Sequence, residues 1–251
     1  MQLPAALIEF LPKVRSVGAI TGAGVSAESG IQTYRGQGGV YDDPDVGDQT
    51  VEALSGETLA VDPDLTWRTI AAMARQSRDA RPNPAHHALV AIEKKVPRFA
   101  LLTQNVDPLH QEAGSRNIIP IHGDLYATRC LECNGRSRME REDFETLDAA
   151  PRCKACGGVL RPGAVLFGET LPLEESMRMR KEFVDFIPDL VVIAGTTALF
   201  PYIQQPVLLA RQAGRLTVEV NPERTLLSDV VDFFLKGKAG TLLPLLADAL
   251  P

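Results

Sequence analysis

The chain has 251 residues, of which 45% are hydrophobic and 23% are charged, and its formal net charge is -6. This composition is typical of globular proteins and excludes the disordered and fibrous classes. The length predicts one large domain, alone or together with a small one. Because nucleic acids bind to basic surfaces, the acidic balance argues against a nucleic-acid partner.

The apolar runs of the sequence are short. Runs such as 190–194 fall far below the roughly 18 residues that a membrane span needs. Residues 1–12 contain two prolines and no lysine or arginine, which does not fit a secretory signal. We therefore expect a cytoplasmic protein without a membrane partner.

Short apolar runs alternate with helical patterns along the chain. Uninterrupted apolar runs are typical of strands buried on both faces, so the alternation predicts an α/β fold with a doubly wound parallel sheet. The stretch 37–64 predicts a long loop with some helix, and 129–160 predicts a small inserted module. The predicted strands are 17–21, 99–103, 117–121, 190–194 and 216–220, and the predicted helices are 65–76, 84–95, 173–186 and 201–213.

The first predicted strand leads into a glycine-rich turn. Residues 22–27 read GAGVSA and match the G-x-G-x-x-A pattern of dinucleotide-binding folds. Glycines permit a tight turn there and let backbone N–H groups approach a pyrophosphate. The hexamer alone does not distinguish such a site from a turn without a ligand. The polar residues at 29–36 favour a ligand site.

Polar residues also follow the later strands. Asn105 and Asp107 follow the second strand, where ligands of open α/β sheets bind. Asp107 before Pro108 is equally typical of a helix cap. Further polar groups lie at 161–169, 195–197 and 221–223, and each alone is explained by turn chemistry. Their shared place at one edge of the sheet favours one extended ligand.

Four histidines are present, and one of them is the candidate general base. His122 follows the third predicted strand and precedes a glycine, and its side chain titrates near neutrality. His86 and His87 fall within the predicted helix 84–95, and His110 would lie on a helix that begins at Pro108, so we expect these three to be structural.

The four cysteines form two C-x-x-C pairs. Cys130 and Cys133 are separated by 19 residues from Cys153 and Cys156. In a reducing compartment this clustering favours metal thiolates over disulfides, with a redox pair as the alternative. Four thiolates close a tetrahedral zinc site and leave no open position for a substrate. The spacing therefore predicts one structural zinc without a catalytic role.

In combination, these motifs resemble the sirtuin family of NAD-dependent protein deacylases. The resemblance extends over nearly the whole chain, from 22 to 239. It rests on the four cysteines and on GAGVSAESGI at 22–31, TQNVD at 103–107, HGD at 122–124, FGE at 167–169, GTT at 195–197 and VNPE at 220–223.

The resemblance implies a Rossmann-like parallel sheet with helices on both faces, a small zinc-binding module and a helical insertion. The substrate is then expected in the cleft between the large and the small domain. The implied segments are 1–36, 81–126 and 161–251 for the Rossmann-like NAD-binding domain, 37–80 for the cofactor loop and helical insertion, and 127–160 for the zinc-binding module.

The resemblance also implies NAD as a co-substrate and assigns residues to it. Asn105 and Asp107, with Ile31, hold the carboxamide of the nicotinamide. Tyr34 and Arg35 cover the reactive centre. The other cofactor contacts that it implies are Gly22, Ala23, Gly24, Ser26, Ser29, Gly30, Gln104, Gly195, Thr196, Thr197, Asn221, Pro222, Glu223 and Ala239.

The implied chemistry takes place at the anomeric carbon of NAD, from which the cationic nicotinamide leaves. The carbonyl oxygen of an acylated lysine attacks that carbon. His122 then deprotonates a ribose hydroxyl, which attacks the alkylimidate and removes the acyl group as O-acyl-ADP-ribose. Asn105, Asp107 and His122 form the implied catalytic set.

Three other functions stay open at this point. A mono-ADP-ribosyltransferase would use a protein side chain in place of the ribose hydroxyl, and His122 argues against it. The set of Asn105, Asp107 and His122 argues against a non-catalytic NAD-sensing module. A dehydrogenase is disfavoured because a long irregular loop follows the glycine-rich turn, where a compact βαβ unit is expected.

The protein substrate is expected to bind as an extended acylated-lysine peptide that adds a strand between 165–169 and the segment after Gly195. Family members usually have Pro and Phe where this chain has Gln32 and Tyr34. They usually have a branched aliphatic and a large aromatic residue where it has Ala164 and Leu166, which predicts a wider acyl pocket. The implied substrate contacts are Ile70, Met73, Val165, Phe167, Gly168, Glu169 and Phe200.

Two of these positions bear on the acyl group. A subset of the family that removes acidic acyl groups carries Tyr and Arg where this chain has Ile70 and Met73. Without a hydroxyl and a cation, a buried succinyl carboxylate would lie unpaired. We therefore predict a preference for neutral acyl groups, acetyl or longer.

Overall fold

The computed structural model describes residues 2–34, 39–40 and 43–251. Within them the strands form two sheets. The strands are β1 (Ser16–Thr21), β2 (Arg98–Thr103), β3 (Ile118–Pro120), β4 (Gly123–Cys130), β5 (Arg136–Arg138), β6 (Leu160–Ala164), β7 (Leu190–Ala194), β8 (Leu216–Asn221) and β9 (Phe233–Lys236).

The α-helices lie mainly between the strands of the larger sheet. A turn of π-helix, Lys181–Asp185, continues the eighth helix. The helices are α1 (Ala5–Phe10), α2 (Ala23–Ser26), α3 (Pro44–Ala53), α4 (Gly56–Val61), α5 (Pro63–Gln76), α6 (Pro84–Lys95), α7 (Leu109–Ala113), α8 (Leu173–Arg180), α9 (Pro201–Gln212) and α10 (Ala239–Ala249). Each of these described helices is too short or too polar to cross a bilayer.

The larger sheet is parallel throughout, with the strand order β3-β2-β1-β7-β8-β9. Strand β1 pairs with β2 on one side and with β7 on the other, so the chain winds outwards in both directions from the centre. This arrangement confirms the predicted doubly wound α/β fold. The five predicted strands and four predicted helices are present, with end shifts of at most a few residues.

Helices cover both faces of this sheet, which explains the uninterrupted apolar runs. On β1, Val17 and Ala19 belong to one apolar cluster and Ile20 to another. The first cluster includes Leu89 from α6 and Leu243 from α10, and the second cluster lies on the opposite face. Since alternate residues of a strand face opposite sides, both sides of β1 must be apolar.

The stretch 37–64 is more helical than the sequence predicts. In its described part, α3 and α4 replace most of the expected loop. The residues that indicate a loop serve as helix caps: Asp43 accepts from the N–H groups of Asp45 and Val46, and Ser55 accepts from Thr58 N–H. The sequence-based prediction was therefore wrong about the amount of helix here, because capping residues and turn residues are the same types.

The smaller sheet is antiparallel, with the order β5-β4-β6. A third apolar cluster combines Trp67 and Ile70 of α5 with Tyr126 of β4 and with Phe144. The indole N–H of Trp67 donates to the carbonyl oxygen of Leu160 at 2.7 Å, which joins α5 to β6. The two segments predicted as a helical insertion and a zinc module therefore share one core.

Asp189 holds the amino-terminal ends of the central strands together. Its Oδ2 accepts from the N–H groups of Arg15 and Ser16 at 3.1 Å each and from the Ser16 hydroxyl at 2.9 Å. Its Oδ1 accepts from the Arg215 guanidinium at 2.9 Å. One carboxylate thus joins β1, β7 and β8 at the edge opposite to their carboxyl ends.

We expect Asp189→Ala to lower the free energy of unfolding by about 1–3 kcal/mol, because two N–H groups and a guanidinium lose their acceptor. Asp185→Ala is the matched control: its ion pair with Arg180 joins side chains that are 49% and 73% exposed. We expect that control to cost less than about 1 kcal/mol. Urea unfolding measures both values, and equal losses would contradict the role of Asp189.

Candidate active site

The glycine-rich turn after β1 packs directly against the loop after β7. Gly24 N–H donates to the carbonyl oxygen of Gly195 at 2.8 Å. A Cβ on Gly24 would lie 2.8 Å from the Gly195 Cα, and a Cβ on Gly195, whose φ is +60°, would lie 2.4 Å from the Val25 nitrogen. Both glycines are therefore required for the two backbones to approach this closely.

A hydrogen-bonded set of polar side chains lies beside this turn. The Ser26 hydroxyl donates to Asp107 Oδ2 at 2.9 Å and accepts from Asn105 Nδ2 at 3.1 Å. Asp107 Oδ1 accepts from Leu109 N–H at 3.0 Å in the turn before α7, but the N-cap of this helix is Pro108 and not the predicted Asp107. Burial raises the pKa of Asp107, and the hydrogen bonds from Leu109 and Ser26 oppose that shift.

A second set of hydrogen bonds connects the loops after β2, β7 and β8. Gln104 Nε2 donates to Thr196 Oγ1 at 2.9 Å, and Asn221 Nδ2 donates to the carbonyl oxygen of Thr196 at 3.1 Å. Asn221 Nδ2 also donates to Oε1 of Glu219 at 2.8 Å. The structure thus brings residues from three predicted polar groups to one edge of the sheet.

The buried Glu219 fixes this edge, and the sequence analysis missed it. Its carboxylate accepts from Asn221, from the Thr225 hydroxyl at 2.7 Å and from the Ser228 hydroxyl at 2.6 Å. An acidic residue within the apolar run of β8 is the sequence signal that could have identified it, because a buried carboxylate requires hydrogen-bond donors.

The imidazole of His122 has a partner on each nitrogen. Nδ1 lies 2.9 Å from the carbonyl oxygen of Gln104, and Nε2 lies 2.7 Å from the hydroxyl oxygen of Tyr202. A carbonyl oxygen only accepts, so Nδ1 carries the proton and the lone pair is on Nε2. Burial lowers the pKa of His122, and the bond to Gln104 partly opposes this, so the ring is a neutral base at neutral pH.

Two other histidines, His86 and His110, are fully buried. His86 Nδ1 accepts from Asn83 N–H in a capping box at the start of α6, and His110 Nε2 lies 3.0 Å from the Thr21 hydroxyl. Burial lowers their pKa values to about 4 and about 3, respectively. Both rings are therefore neutral. His86 Nε2 and His110 Nδ1 are buried without a hydrogen-bond partner among the described residues, so the structural role of these histidines stays a prediction. His87 is exposed on α6.

The four cysteines converge within the unit formed by the smaller sheet and the elements of the third apolar cluster, here called the small unit. Their Sγ atoms all lie within 4.8 Å of one another, with Cys130 and Cys156 3.4 Å apart and Cys133 and Cys153 3.7 Å apart. A tetrahedron of sulfurs around zinc has edges of about 3.8 Å, given a Zn–S distance of about 2.3 Å. Four thiols at nearly this spacing fit a structural zinc.

The segment after β6 runs past His122. Val165 N–H donates to the carbonyl oxygen of His122 at 2.8 Å. Phe167 N–H donates to the carbonyl oxygen of Leu54 at 2.9 Å, and Gly56 N–H donates to that of Phe167 at 3.0 Å. The backbone of Phe167 is thus already paired within the chain, so an added peptide strand would have to pair elsewhere in this segment.

Several predicted substrate contacts have partners within the protein. The Glu169 carboxylate accepts from the Arg161 guanidinium at 2.7 and 2.8 Å and from Leu166 N–H at 2.9 Å. Ile70 is buried in the small-unit cluster, and Met73 packs against that cluster. Among these predicted contacts, Phe200 places its ring beside His122, with 6.1 Å between the two ring centroids.

The remaining predicted cofactor residues lie around the same edge. Ser29 Oγ accepts from Asn83 Nδ2 at 2.9 Å, Gly30 has a φ of +88°, and Gly240 N–H, next to Ala239, donates to Glu28 at 2.7 Å. Arg35 lies outside the described residues. The others are placed in the turn after β1 (Gly22, Ala23, Ile31, Tyr34), in the loop after β7 (Thr197) and in the loop after β8 (Pro222, Glu223).

Known proteins are similar in sequence to this chain. The profile of the Sir2 family matches residues 22–200. The NAD-dependent protein deacylase 2 of Pseudomonas aeruginosa is 43% identical over 248 residues, which covers 96% of this chain and 94% of that protein. The NAD-dependent protein deacylase 1 of Archaeoglobus fulgidus is 37% identical over 237 residues, which covers 94% of this chain and 94% of that protein.

Solved Sir2 structures share the fold. A Sir2 homologue in complex with NAD is 36% identical with a TM-score of 0.86, covering 98% of this chain and 93% of that chain. A mutant Sir2 homologue in complex with 2'-O-acetyl ADP ribose is 35% identical with a TM-score of 0.87, covering 98% and 96%. A Sir2 protein bound to a myristoylated histone peptide is 29% identical with a TM-score of 0.76, covering 96% and 93%.

The contact between the two glycine loops can be tested with a matched pair of variants. Gly195 and Gly214 both have positive φ angles, +60° and +66°, but an added Cβ on Gly214 would meet no atom within 4 Å. We expect Gly195→Ala to lower the free energy of unfolding by about 1–3 kcal/mol more than Gly214→Ala, because only the former forces backbones apart. Equal losses in urea unfolding would show that φ strain alone requires glycine at position 195.

Proposed function

This chain belongs to the Sir2 family, and from that premise we propose that it is an NAD-dependent protein-lysine deacylase. The observation that carries this proposal is the state of His122. It is a half-buried, neutral imidazole with its lone pair on Nε2, at the edge of the sheet where the glycine-rich turn and the Asn105–Ser26–Asp107 set converge. A base that removes a hydroxyl proton needs this tautomer and this neutral form.

We propose that NAD binds as a substrate along this edge. The backbone N–H groups of the glycine-rich turn, with Thr196 and Thr197, would receive the diphosphate and ribose, and the loop after β8 would receive the adenosine. The Asn105 amide and the Asp107 carboxyl would bind the carboxamide of the nicotinamide. The additional residues proposed for the cofactor site are Ile31, Tyr34, Arg35, Ser29, Gly30, Gln104, Asn221, Pro222, Glu223 and Ala239.

In the proposed reaction, the acyl carbonyl oxygen of the substrate lysine attacks the anomeric carbon of NAD as nicotinamide leaves. A ribose hydroxyl then transfers its proton to His122 Nε2 and attacks the imidate carbon, which gives an intermediate bridged across the ribose. The nitrogen takes up a proton and leaves as free lysine. One water molecule opens the bridged intermediate, so that the acyl group stays on the ribose as an ester. The protein supplies orientation and a neutral base rather than a covalent nucleophile.

We propose that the acylated lysine arrives in an extended peptide beside the segment 165–169. The backbone of Phe167 is already bonded to Leu54 and Gly56, and Gly168 lies in a turn with a φ of +81°, so the peptide has to pair with other backbone groups of this segment. The aromatic ring of Phe200 would border the peptide near His122. Backbone pairing places little demand on the peptide sequence, which supports broad specificity.

The four cysteines are proposed to hold one structural zinc. A closed site of four thiolates has no open position, so its role is to connect the β4 and β6 ends of the small unit. Clustered thiols without disulfide geometry support a reducing, cytoplasmic location, which stays a proposal. We also propose, on the basis of the same sequence motifs, that the chain divides after residues 36, 80, 126 and 160 into the segments of a large and a small domain.

The reaction can be tested with NAD and an acetyl-lysine peptide. We expect stoichiometric nicotinamide, deacetylated peptide and O-acetyl-ADP-ribose, detected by mass spectrometry. His122→Ala should lower kcat by about 10²- to 10⁴-fold, because it removes a general base. His87→Ala, which changes an exposed histidine on α6, is the matched control and should retain activity.

Two outcomes would contradict this scheme. ADP-ribose attached to protein, without O-acetyl-ADP-ribose, would support a mono-ADP-ribosyltransferase instead. Full turnover by the His122→Ala variant would exclude the role assigned to that imidazole.

The acyl preference follows from the residues near the small-unit core. Ile70 and Met73 offer neither a hydroxyl nor a cation, and two arginines of this unit, Arg75 on α5 and Arg161 on β6, are already bonded. Arg75 donates to the carbonyl oxygen of Phe144 at 2.9 Å, and Arg161 binds Glu169. A carboxylate placed among these side chains would lose its hydration without gaining a partner.

We expect kcat/KM for a succinyl-lysine peptide to be about 10²-fold or more below that for the acetyl-lysine peptide, because an unpaired buried charge costs several kcal/mol. Propionyl, butyryl and myristoyl peptides should remain substrates. The double variant Ile70→Tyr/Met73→Arg should raise the succinyl value and lower the acetyl value. Comparable acetyl and succinyl values in the unmodified protein would refute the preference.

A further inference from the structure

Nε2 of His122, the nitrogen that would accept a proton, is hydrogen-bonded to another residue of the chain. Nδ1 donates to the carbonyl oxygen of Gln104, so Nε2 is the acceptor and the Tyr202 hydroxyl, 2.7 Å away, is the donor. An sp² ring nitrogen has one lone pair, in the plane of the ring, and accepts one strong hydrogen bond along it. The Tyr202 hydroxyl therefore occupies the single position through which Nε2 takes up a proton.

The surrounding aromatic rings hold Tyr202 in that position. The rings of Phe200 and Tyr202 are stacked at 5.3 Å with 14° between their planes. Both present an edge-on arrangement to the imidazole, with centroid distances of 6.1 Å and interplanar angles of 84° and 83°. Tyr202 lies in the first turn of α9, so its backbone is fixed by the helix.

The phenol of Tyr202 remains a hydrogen-bond donor at neutral pH. Burial raises the pKa of Tyr202 to about 12. The hydroxyl is thus protonated and neutral, as is the imidazole. The contact is an ordinary neutral hydrogen bond, which a competing hydroxyl group can replace without moving a charge.

We propose that Tyr202 is a positioning residue for His122, whose hydroxyl holds the Nε2 lone pair in the free enzyme and competes with the substrate ribose hydroxyl for it. This inference rests on the proposed function only in naming the competitor as a ribose hydroxyl. The exchange moves no covalent bond: Tyr202 keeps its proton, and the ribose O–H takes its place as the donor to Nε2.

The hydrogen bond from Tyr202 has one favourable and one unfavourable effect on the use of His122 as a base. While the Tyr202 bond is present, two fixed partners hold the imidazole in one tautomer and one orientation. Before the ribose hydroxyl can transfer its proton, that bond must break, and its loss opposes the binding of the ribose. Removal of the hydroxyl alone, with the ring retained, should therefore favour the ligand.

Tyr202→Phe tests this directly, because the phenyl ring can keep its contacts with Phe200 and His122. The first readout is the affinity for ADP-ribose, which carries free ribose hydroxyls, measured by titration calorimetry. We expect the variant to bind ADP-ribose roughly 2- to 10-fold more tightly, the equivalent of one net neutral hydrogen bond. Tyr126→Phe removes a hydroxyl from the small-unit cluster instead and should leave the affinity unchanged.

The second readout separates the two halves of the reaction. Exchange of labelled nicotinamide into NAD, in the presence of the acyl peptide, reports the half that does not use Nε2, and deacylation reports the half that does. We expect the ratio of deacylation to exchange to rise in Tyr202→Phe and to stay constant in Tyr126→Phe. A role confined to folding would change both rates in parallel and leave the ratio unchanged.

The outcomes distinguish this inference from the proposed function. Unchanged or weaker ADP-ribose binding in Tyr202→Phe, or an unchanged or lower ratio, would overturn the competition while the unmodified enzyme still deacylates. If the unmodified protein bound ADP-ribose but catalysed neither exchange nor deacylation, the proposed function would fail. The affinity comparison between the two tyrosine variants would still decide the role of Tyr202.

Discussion

The N–H of Gly24 lies 2.8 Å from the carbonyl oxygen of Gly195, a separation that neither loop could reach with a side chain at these positions. This contact joins the turns after β1 and β7 at the point where the sheet reverses its winding direction. Ligands of doubly wound sheets bind at that reversal. Residues from β2 and β3 approach it from one side and residues from β8 from the other. The close approach of two glycines therefore sets the geometry on which the other groups converge.

Most of the larger sheet was predictable because strands that are buried on both faces have a recognisable sequence pattern. Each inner strand needs apolar residues at successive positions, so its limits coincide with the ends of an apolar run. The elements outside this rule were missed. Strand β9 lies at the edge and is short, and α10 contains Pro244, which is typical of a helix end. In α10 the packing of its leucines into the core cluster outweighs that local preference.

The candidate site was predictable as a set of loops but not as a set of contacts. Strand ends in a parallel sheet share one edge, so Asn105, His122 and Thr196 could be placed together from the sequence alone. The hydrogen-bond partners could not, because they depend on side-chain direction across elements far apart in the chain. Tyr202 is 80 residues from His122, and its position just after a proline indicates only the start of a helix. Likewise, the pairing of Phe167 with Leu54 and Gly56 depends on the fold of the insertion.

Gln104 connects three parts of the candidate site through its own hydrogen bonds. Its N–H donates to the carbonyl oxygen of Thr21 at 2.9 Å, its carbonyl oxygen accepts from His122 Nδ1, and its side-chain amide donates to Thr196 Oγ1. One residue thereby couples the orientation of the base to the turn after β1 and to the loop after β7. Since both loops belong to the proposed dinucleotide site, a ligand that orders them also fixes the plane of the imidazole. The geometry of the base and the geometry of the cofactor site are therefore set by the same three hydrogen bonds.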